Sequence, residues 1–594
     1  MPKSSTSQVS FSHLLCRWLK DLGYSHCFTV AGGNSMHLLA RAEKVFAVVP
    51  FAHEVSAGIA AEYFNHTSCE GKAFVLVTTG PGLTNLATSI AGAWLESREL
   101  VVIAGAVKSS DLRKSPDLRQ RGIQEISGAD LYRSVSKKAT LYDSVCSESE
   151  FKSAVMLSVE GRKGPVIIEV CLDTQAQIVP DDLSAYVVPD PEQRLKSEAV
   201  DEVLKMLTSA KRPAILLGGG IDRDLARGLS AKLESFGVPV LLTWNAADYL
   251  SSSSEMYFGR PDNWGQRSSN LIIQQADFLL ALGAKLGLQQ TGFSWENFLP
   301  NGRIWAVNID EAELDKGHPT LDRSYCEDAN VVLETLMNLG VFGLAAKDWV
   351  DYCRAIRERF LPENENPDVR EGFVRPHRAI QAVQELAEDN AVFVPSSSGG
   401  AEISMMQTIE LRGEQRLVVN KGLASMGYAL PGAIGVALGV PNRQVVCFEG
   451  DGSLAQSLSE FAMLAARGFD LKLVILSNGG YSSIRATQSR FMDGRYVGCD
   501  EPTGLYLPEW SALADAFGLQ YRSVRDEDAL ESVVGDAFRA PGTWIVEIHV
   551  DQEQTYFPRV SSELHNDGRI ESKPLHEMSP ELSEFDRAKY LRYI

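Results

Sequence analysis

The stretch Val445-Val-Cys-Phe-Glu-Gly-Asp-Gly-Ser453 is an apolar run that stops at an aspartate between two glycines. Residues 457–467 then have helical spacing, and a second apolar run, Leu471–Leu476, stops at Ser477-Asn-Gly-Gly480. This order predicts a strand, a helix and a second, parallel strand. Both strands would end at the same edge of one sheet, where ligands bind in folds of this kind. We therefore expect the aspartate and the asparagine to lie close together.

These residues have the chemistry of a metal–phosphate site. A carboxylate oxygen of Asp451, the amide oxygen of Asn478 and a free backbone carbonyl are hard ligands, which suit Mg²⁺ or Ca²⁺ completed by phosphate oxygens and water. The flanking glycines let backbone N–H groups approach a phosphate closely. Taken alone, Gly-Asp-Gly has the alternative interpretation of a tight turn followed by a helix N-cap. The asparagine at the end of the next strand favours the metal–phosphate site.

Strand-like and helix-like stretches alternate along most of the chain. Strand-like runs occur at Phe74–Thr79 and Leu100–Gly105, and again at Ala214–Gly220 and Ile304–Asp310. Such alternation predicts parallel sheets covered by helices on both faces, and polar, proline-bearing stretches separate the segments. We predict an α/β protein of three doubly wound parallel-sheet domains. The expected limits are 1–185, 190–345 and 375–555 for the domains, 346–374 for a linker and 556–594 for a C-terminal tail.

The composition argues against several classes of protein. The 594 residues carry a formal net charge of −20 and a pI near 5.1, whereas contact with nucleic-acid phosphates needs an excess of Lys and Arg. No apolar run approaches the roughly 20 residues of a membrane span, and the polar first residues lack the apolar region of a signal peptide. The nine cysteines are scattered without CxxC spacing. We expect a cytoplasmic protein with no nucleic-acid or membrane partner, no disulfide scaffold and no structural zinc.

The segment 450–482 resembles the thiamin diphosphate (ThDP) motif, which begins with Gly-Asp-Gly and ends with a pair of asparagines. The first asparagine of that pair is Ser477 here, and the second, Asn478, is retained. The resemblance implies Mg²⁺ bound by Asp451, Asn478 and the main-chain carbonyl of Gly480. The cofactor contacts that it also implies come from Gly450, Gly452, Ser453, Tyr481 and Ser482.

A second segment, Ala52-His-Glu-Val-Ser-Ala-Gly-Ile-Ala-Ala-Glu62, resembles the His-Glu-x-x-Ala/Gly-x-x-x-Ala-Glu motif of acetolactate-synthase-like ThDP enzymes. The resemblance makes Glu54 the glutamate beside the aminopyrimidine ring, where it favours the imino tautomer that removes the C2 proton of the cofactor. The cofactor then carries the carbanion chemistry. Taken alone, Glu54 has the alternative interpretation of a carboxylate in the first turn of a helix. Its occurrence together with the metal motif favours the catalytic role.

Three further segments resemble the same family. In Lys421–Gly435, Met426 would be the apolar wedge under the cofactor and the Ala424 carbonyl would accept from its amino group; core packing is the alternative for the methionine. The loop Gly80-Pro-Gly-Leu-Thr-Asn85 matches the GPG-x-TN loop of the family, so Gly80 and Asn85 become cofactor candidates. No Lys-Ser/Thr follows, which excludes a P-loop. A diphosphate cradle, or alternatively a flexible turn, would be formed by Ser398, Gly399 and Gly400.

Two loops are expected at the substrate pocket. Arg119–Glu125 resembles the loop that bears an active-site glutamine in acetolactate synthases, which makes Gln124 the corresponding residue. Ala31–His37 resembles the first glycine loop near the pocket. Gly33 would shape the pocket there, and His37 would either contact substrate or serve as a structural histidine.

The central segment resembles a subgroup of carboligases linked to surface polysaccharides and branched sugars, of which the yersiniose-forming type is an example. The stretches that carry this resemblance are Trp264–Asn270, Gln289–Phe293, Asn308–Asp310 and 567–580. The resemblance to this subgroup implies bound FAD, with candidate contacts from Gly219, Gly220, Thr291 and Asp310. The substrate-selecting tryptophan of true acetolactate synthases is replaced by Thr487, and their flavin segment by residues 285–292. Isoleucine-pathway specificity is therefore not expected.

The resemblance as a whole implies pyrimidine-binding, central and diphosphate-binding domains. It implies an enzyme, a transferase or lyase, that decarboxylates pyruvate or another short 2-oxo acid and transfers the acyl carbanion to a carbonyl acceptor. Because Glu54 of one subunit serves the cofactor of another in this family, the resemblance also implies a homodimer or homotetramer. A 2-oxo acid decarboxylase without ligation and a ThDP-dependent C–C lyase or hydrolase of an acyloin or cyclic diketone remain alternatives. A regulatory homologue with a dead site is the non-enzymatic alternative.

Overall fold

Three parallel sheets with their helices make up the computed structural model, which describes residues 8–115, 117–181, 183, 199–365, 369–564 and 570–594. The prediction of an α/β protein with three parallel-sheet domains is confirmed. Three two-stranded antiparallel pairs complete the described strands: Gln8–Ser10 with Ile178–Pro180, Arg559–Val560 with Met578–Ser579, and Ser562–Leu564 with Ile570–Ser572.

The N-terminal and C-terminal sheets have the same topology. Numbering the six strands of each sheet along the chain gives the spatial order 2-1-3-4-6-5 in both, with every neighbour parallel. In spatial order the N-terminal strands are Ala47–Pro50, Tyr24–Thr29, Lys72–Val77, Leu100–Ala106, Pro165–Cys171 and Lys138–Tyr142. The C-terminal strands are Arg416–Leu417, Val392–Pro395, Val445–Gly450, Leu471–Ser477, Trp544–His549 and Gln520–Val524.

The central sheet repeats the first part of this order. Its five parallel strands are arranged 2-1-3-4-5, so all three sheets share the order 2-1-3-4 of their first four strands. In spatial order they are Val240–Leu242, Pro213–Leu217, Phe278–Leu282, Arg303–Asn308 and Arg323–Cys326. In such parallel sheets the strand order changes direction at one point. A crevice forms there at the carboxyl ends of the strands, and ligands bind in it.

Helices connect these strands in each domain. The N-terminal helices are Phe11–Asp21, Met36–Val45, Glu54–Thr67, Pro81–Thr84, Ala87–Leu95, Gly128–Leu131, Glu148–Met156 and Leu172–Ala176. The central helices are Ala199–Ser209, Arg223–Gly228, Ser230–Phe236, Arg267–Gln275, Leu288–Thr291, Glu311–Leu314, Ala329–Asn338 and Lys347–Arg359. The C-terminal helices are Pro376–Leu386, Gly399–Thr408, Ala429–Gly439, Asp451–Leu454, Phe461–Arg467, Ser482–Phe491, Trp510–Ala516 and Leu530–Arg539, and the tail adds Glu584–Tyr590.

Two buried helices join the N-terminal and C-terminal domains. Helices Glu54–Thr67 and Ala429–Gly439 are rich in Gly and Ala, which lets their backbones approach closely. A Cβ placed on Gly435 would overlap the carbonyl of Ala60. The pair belongs to one apolar core shared by both domains. This packing fixes the start of the first helix, where Glu54 lies, relative to the C-terminal sheet.

The region expected as a linker contains a helix that belongs to the central core. In Lys347–Arg359, the side chains of Trp349, Cys353 and Ile356 are buried among central-domain residues. The tail packs on the same domain, since Leu575 and Tyr590 join that core. The predicted boundary at 185–190 lies outside the described residues, as do residues 366–368 of the linker and 565–569 of the tail, so the domain limits stay predictions.

No helix within the described ranges is long and apolar enough to cross a membrane.

Candidate active site

The carboxylate of Asp451 links the ends of two neighbouring strands. Asp451 begins a short helix directly after strand Val445–Gly450, and its Oδ1 accepts the N–H of Gly452 at 2.7 Å. Its Oδ2 accepts the N–H groups of Asn478 at 2.9 Å and Gly479 at 2.7 Å. Burial raises the pKa of Asp451 to about 6, against the opposing effect of these N–H donors. A cation beside the carboxylate would favour its charged form.

Asn478 supplies a second oxygen at the same place. Its Oδ1 is buried and has no hydrogen-bond partner among the described residues. An unpaired buried acceptor costs about 1–3 kcal/mol, which a bound cation would offset. A Cβ on Gly452 would lie 3.2 Å from the carbonyl oxygen of Gly480, so that carbonyl also approaches the Asp451 loop. One carboxylate, one amide oxygen and one carbonyl form a donor set that fits Mg²⁺.

Gly480 has a backbone that only glycine adopts easily. Its φ is +140°, and a Cβ there would overlap the carbonyl of Cys499. The part of the chain that the structure describes contains no group of three or more His, Cys, Asp or Glu side chains placed to hold a metal. The mixed donor set around Asp451 is therefore the metal candidate that the described residues offer.

Two helices begin beside this loop and point their N-termini at one place. They are Gly399–Thr408 and Ser482–Phe491, and neither has a side-chain hydrogen bond at its N-cap, Ser398 or Tyr481. A Cβ on Gly399 would lie 3.9 Å from the Ser483 hydroxyl, so the two starts are adjacent. Free N–H groups and the positive ends of two helix dipoles favour a bound anion. The predicted cradle residues Ser398, Gly399 and Gly400 thus lie next to Tyr481 and Ser482, which were predicted as cofactor contacts of the ThDP motif.

The segment that bears Ala424 and Met426 is tied to the same loops. The Ser453 hydroxyl accepts the N–H of Gly427 at 2.9 Å and lies 3.4 Å from the Ser396 hydroxyl. Ala424 has a φ of +53°, which costs a non-glycine residue about 1–2 kcal/mol. Ala424 is exposed and Met426 is half-buried, so the strained backbone at Ala424 lies two residues before the predicted wedge.

The N-terminal domain brings a different group of predicted residues together. Glu54 is the first residue of its helix and is 9% exposed, and its Oε2 accepts the side-chain N–H of Asn85 at 2.9 Å. A Cβ on Gly80, whose φ is +66°, would lie 2.6 Å from the Gln124 carbonyl. The GPG-x-TN loop therefore lies between Glu54 and the loop that bears Gln124.

The Gln124 loop has a defined shape although its outer face is exposed. The Glu125 carboxylate accepts the N–H groups of Arg113 at 2.6 Å, Arg121 at 2.8 Å and Gly122 at 2.9 Å. Partial burial opposes ionisation, but these donors hold the pKa of Glu125 below its usual range. Gln124 has a φ of +64°, and its neighbour Ile123 is 85% exposed.

Gly33 and His37 lie on an open surface of the same domain. Gly33 is exposed, with no atom within 4 Å of a Cβ placed there, and His37 is half-buried. Within the described ranges, no hydrogen bond or ion pair joins Glu54 to Asp451 or Asn478. One chain therefore presents two groups of predicted site residues, one on each of two domains.

Three site residues were missed by the sequence analysis. Arg485 is buried, and its Nη2 donates to the carbonyls of Asn478 at 3.0 Å and Gln552 at 3.1 Å. Glu449 is fully buried, accepts the N–H of Ala429 at 3.0 Å and has a pKa raised by burial to about 7. A glutamate inside an apolar strand was an available signal for it. Tyr556 comes from a distant segment that gave no signal.

The four FAD candidates lie beside other residues of the chain, and three of them form hydrogen bonds there. The N–H of Gly220 donates to the Gly283 carbonyl at 2.9 Å, and a Cβ on Gly219 would lie 3.2 Å from the Asn245 side chain. The Thr291 hydroxyl donates to the Gly287 carbonyl at 3.2 Å. Asp310 caps a helix through the Ala312 N–H at 3.0 Å and pairs with Arg162 at 2.7 Å. Gly220, Thr291 and Asp310 therefore have hydrogen-bond partners within the chain, Gly219 is exposed, and FAD stays a prediction.

Comparisons with known proteins cover all three domains. The family described as "Thiamine pyrophosphate enzyme, N-terminal TPP binding domain" matches residues 9–131, its central domain matches 200–336, and its C-terminal TPP binding domain matches 397–548.

The curated relatives have matching lengths. Acetolactate synthase isozyme 1 large subunit of Escherichia coli is 28% identical over 533 residues, which is 88% of this chain and 88% of that protein. The acetolactate synthase large subunit of Corynebacterium glutamicum is 26% identical over 586 residues, 95% of this chain and 90% of that protein. Acetolactate synthase 1, chloroplastic, of Nicotiana tabacum is 26% identical, covering 93% of this chain and 83% of that protein.

Proposed function

Because this chain belongs to the thiamine pyrophosphate (ThDP) enzyme family, we propose that it is an acetolactate-synthase-like carboligase. It would decarboxylate pyruvate or another short 2-oxo acid and transfer the acyl group to a carbonyl acceptor, with ThDP and Mg²⁺ as cofactors. The cofactor assignment is carried by the Oδ1 of Asn478, which lies beside the Asp451 carboxylate and two helix N-termini and has no hydrogen-bond partner among the described residues. The relatives' printed names support the type of reaction.

The residues of the C-terminal domain would hold the cofactor. Mg²⁺ would be bound by Asp451, Asn478 and the Gly480 carbonyl, and the diphosphate by the N-termini of helices Gly399–Thr408 and Ser482–Phe491. When bound, ThDP supplies the nucleophilic carbon and stabilises the carbanion left by loss of CO₂. Arg485 would keep the Asn478 backbone in place by donating a hydrogen bond to its carbonyl.

Glu54 would control a proton on the aminopyrimidine ring. Asn85 donates to its Oε2, which leaves Oε1 available to a ring nitrogen. Its position at the start of the helix and its buried side chain hold the carboxylate in one place. Gln124 and Gly33 would shape the pocket for the substrate, and limited water access would suppress premature protonation.

We place the complete site between two copies of the chain. Two neighbours of predicted site residues in the N-terminal domain have large exposed apolar side chains: Met36 beside His37 is 51% exposed, and Ile123 beside Gln124 is 85% exposed. Exposed apolar side chains beside a site support an interface there. A homodimer or homotetramer would bring this surface onto the Asp451 group of a second copy.

The acceptor is proposed from sequence segments alone. Residues 264–270 and 289–293 support the subgroup that acts on surface-polysaccharide or branched sugars, in which the acceptor is the ketone of a nucleotide-linked sugar. FAD is proposed on the same resemblance, and the visible absorbance of the purified protein tests it. A cytoplasmic location is proposed because all nine cysteines are free, as in reducing compartments.

Pyruvate consumption by the purified protein, with ThDP and Mg²⁺ and with or without candidate acceptors, tests the function when products are identified by mass. An acetyl-extended acceptor, acetolactate or acetoin supports carboligation. Carbon dioxide with free acetaldehyde as the sole products favours a simple decarboxylase. Turnover of an acyloin or cyclic diketone without pyruvate favours the lyase or hydrolase alternative.

A further inference from the structure

A tyrosine of the C-terminal segment reaches the place where the proposed diphosphate cradle and metal loop meet. Tyr556 is 6% exposed, and its hydroxyl donates to the Ser482 hydroxyl at 3.1 Å. The phenol also lies beside the Asn478 side chain and within electrostatic range of Asp451. Tyr556 lies outside the residues that match the C-terminal ThDP-binding domain, which end at 548.

The ring of Tyr556 covers the start of helix Gly399–Thr408. A Cβ placed on Gly400 would overlap both Cζ and the hydroxyl oxygen of Tyr556. The phenol oxygen therefore lies between the starts of the two helices that would bind an anion, one at Gly400 and the other at Ser482. The Tyr556 hydroxyl thus reaches the two helix starts from a segment that belongs to neither helix.

The backbone around Tyr556 is anchored on both sides. Upstream, the Gln552 carbonyl accepts from the buried Arg485 guanidinium at 3.1 Å. Downstream, the Pro558 carbonyl accepts from the Gln407 side chain at 2.7 Å. Gln407 lies in the helix that begins at Gly399. The same elements that form the cradle thus fix the position of the tyrosine.

We propose that Tyr556 is a cofactor-positioning residue, whose hydroxyl donates a hydrogen bond to the terminal phosphate of the diphosphate. The proposal rests on the proposed function, because it assumes that a diphosphate binds between the two helix starts. A phenol hydroxyl can both donate and accept hydrogen bonds, so it can serve as the donor here. A hydrogen bond to a charged phosphate oxygen is stronger than the present one to a neutral hydroxyl.

Tyr556→Phe separates this role from packing, since it keeps the ring over Gly400 and removes only the hydroxyl. The probes are ThDP and thiamin monophosphate, each titrated with Mg²⁺ into the full-length protein. A matched control is Tyr142→Phe, because Tyr142 is also 6% exposed and lies in the N-terminal sheet, outside the cradle.

We expect Tyr556→Phe to weaken ThDP binding about tenfold or more, as for loss of a hydrogen bond to a charged group. Binding of thiamin monophosphate should stay unchanged, as should ThDP binding by Tyr142→Phe. Equal ThDP affinity in wild type and Tyr556→Phe would refute the contact, and so would an equal loss for both thiamin phosphates. Wild-type protein that binds no ThDP would instead refute the proposed function.

Discussion

The backbone N–H of Asn478 donates to the carboxylate of Asp451 at 2.9 Å, and this bond ties the carboxyl ends of two adjacent parallel strands together. It leaves the Asn478 side-chain oxygen buried beside the carboxylate and unpaired among the described residues. Both features are what a bound cation requires, because the carboxylate is already oriented and the amide oxygen is free to coordinate.

Removing either oxygen should weaken Mg²⁺ and ThDP binding together. We expect Asn478→Ala to raise the dissociation constant of ThDP about tenfold or more at fixed Mg²⁺, because a charge-assisted contact is lost. Asp451→Ala should have a larger effect. Calorimetric titration of ThDP with and without Mg²⁺ measures both changes. Asp515→Asn, an exposed substitution in the same domain, is the control; unchanged ThDP affinity in Asp451→Ala would contradict the metal site.

Glu54→Gln should abolish turnover while leaving the cofactor bound. The amide keeps the size of the side chain and its contact with Asn85, but it cannot act as the carboxylate that controls a ring proton. Loss of a positioned acid–base group typically lowers the rate by about 10²–10⁴-fold. Steady-state turnover and ThDP affinity should be compared with those of Glu70→Gln, an exposed control. Wild-type turnover by Glu54→Gln would show that the assignment is wrong.

A buried ion pair should stabilise the contact between the first and third domains. Glu62 is fully buried and accepts from Arg98 at 2.8 Å and from the Asn420 side chain at 3.0 Å, and Arg98 also donates to the Val419 carbonyl. Glu62→Gln would leave the guanidinium buried without its countercharge, which costs about 3–5 kcal/mol. A lowered midpoint of denaturant unfolding would show this. An unchanged midpoint would mean that the Glu62–Arg98 ion pair does not contribute to the stability of the folded protein.

The stability of the N-terminal domain should fall as the pH rises towards neutrality. Burial raises the pKa of Glu169 from 4.5 to about 7, with Asp130 adding to the shift and the N–H groups of Ala129 and Gly128 opposing it. The folded state therefore binds an extra proton between these two values. This proton stabilises the folded state fully below pH 4.5, and the stabilisation is lost as the pH rises to about 7.

Glu169→Gln tests this pH effect, because an amide cannot release the proton. The free energy of unfolding of the variant should depend less on pH across that window than that of the wild type. The difference between the two slopes should sum to a few kcal/mol at most. Parallel curves for the two proteins would contradict the raised pKa.

The sequence predicted the three α/β domains and the proximity of the aspartate and asparagine for one reason. Parallel strands that are buried on both faces have uninterrupted apolar sequences, and the residues directly after each such strand lie at the same sheet edge. Asp451 and Asn478 come directly after two of these strands, so chain order was sufficient to place them.

Other features depended on contacts between distant parts of the chain. Tyr556 reaches Ser482 from a proline-containing segment with no periodicity, so no local pattern could indicate it. The helix Lys347–Arg359 did carry a signal, since Trp349, Cys353 and Ile356 share one face. The acidic, proline-bearing stretch directly after that helix favoured a linker instead.

The central claim is that this protein forms a carbon–carbon bond from a 2-oxo acid. The most direct measurement uses pyruvate labelled isotopically at its keto carbon, with ThDP, Mg²⁺ and a carbonyl acceptor, and follows the label by NMR. The account predicts a product in which the labelled carbon is bonded to the acceptor's carbonyl carbon, formed by wild type and absent with Glu54→Gln. Label found only in free acetaldehyde, at the same rate with and without acceptor, would contradict it.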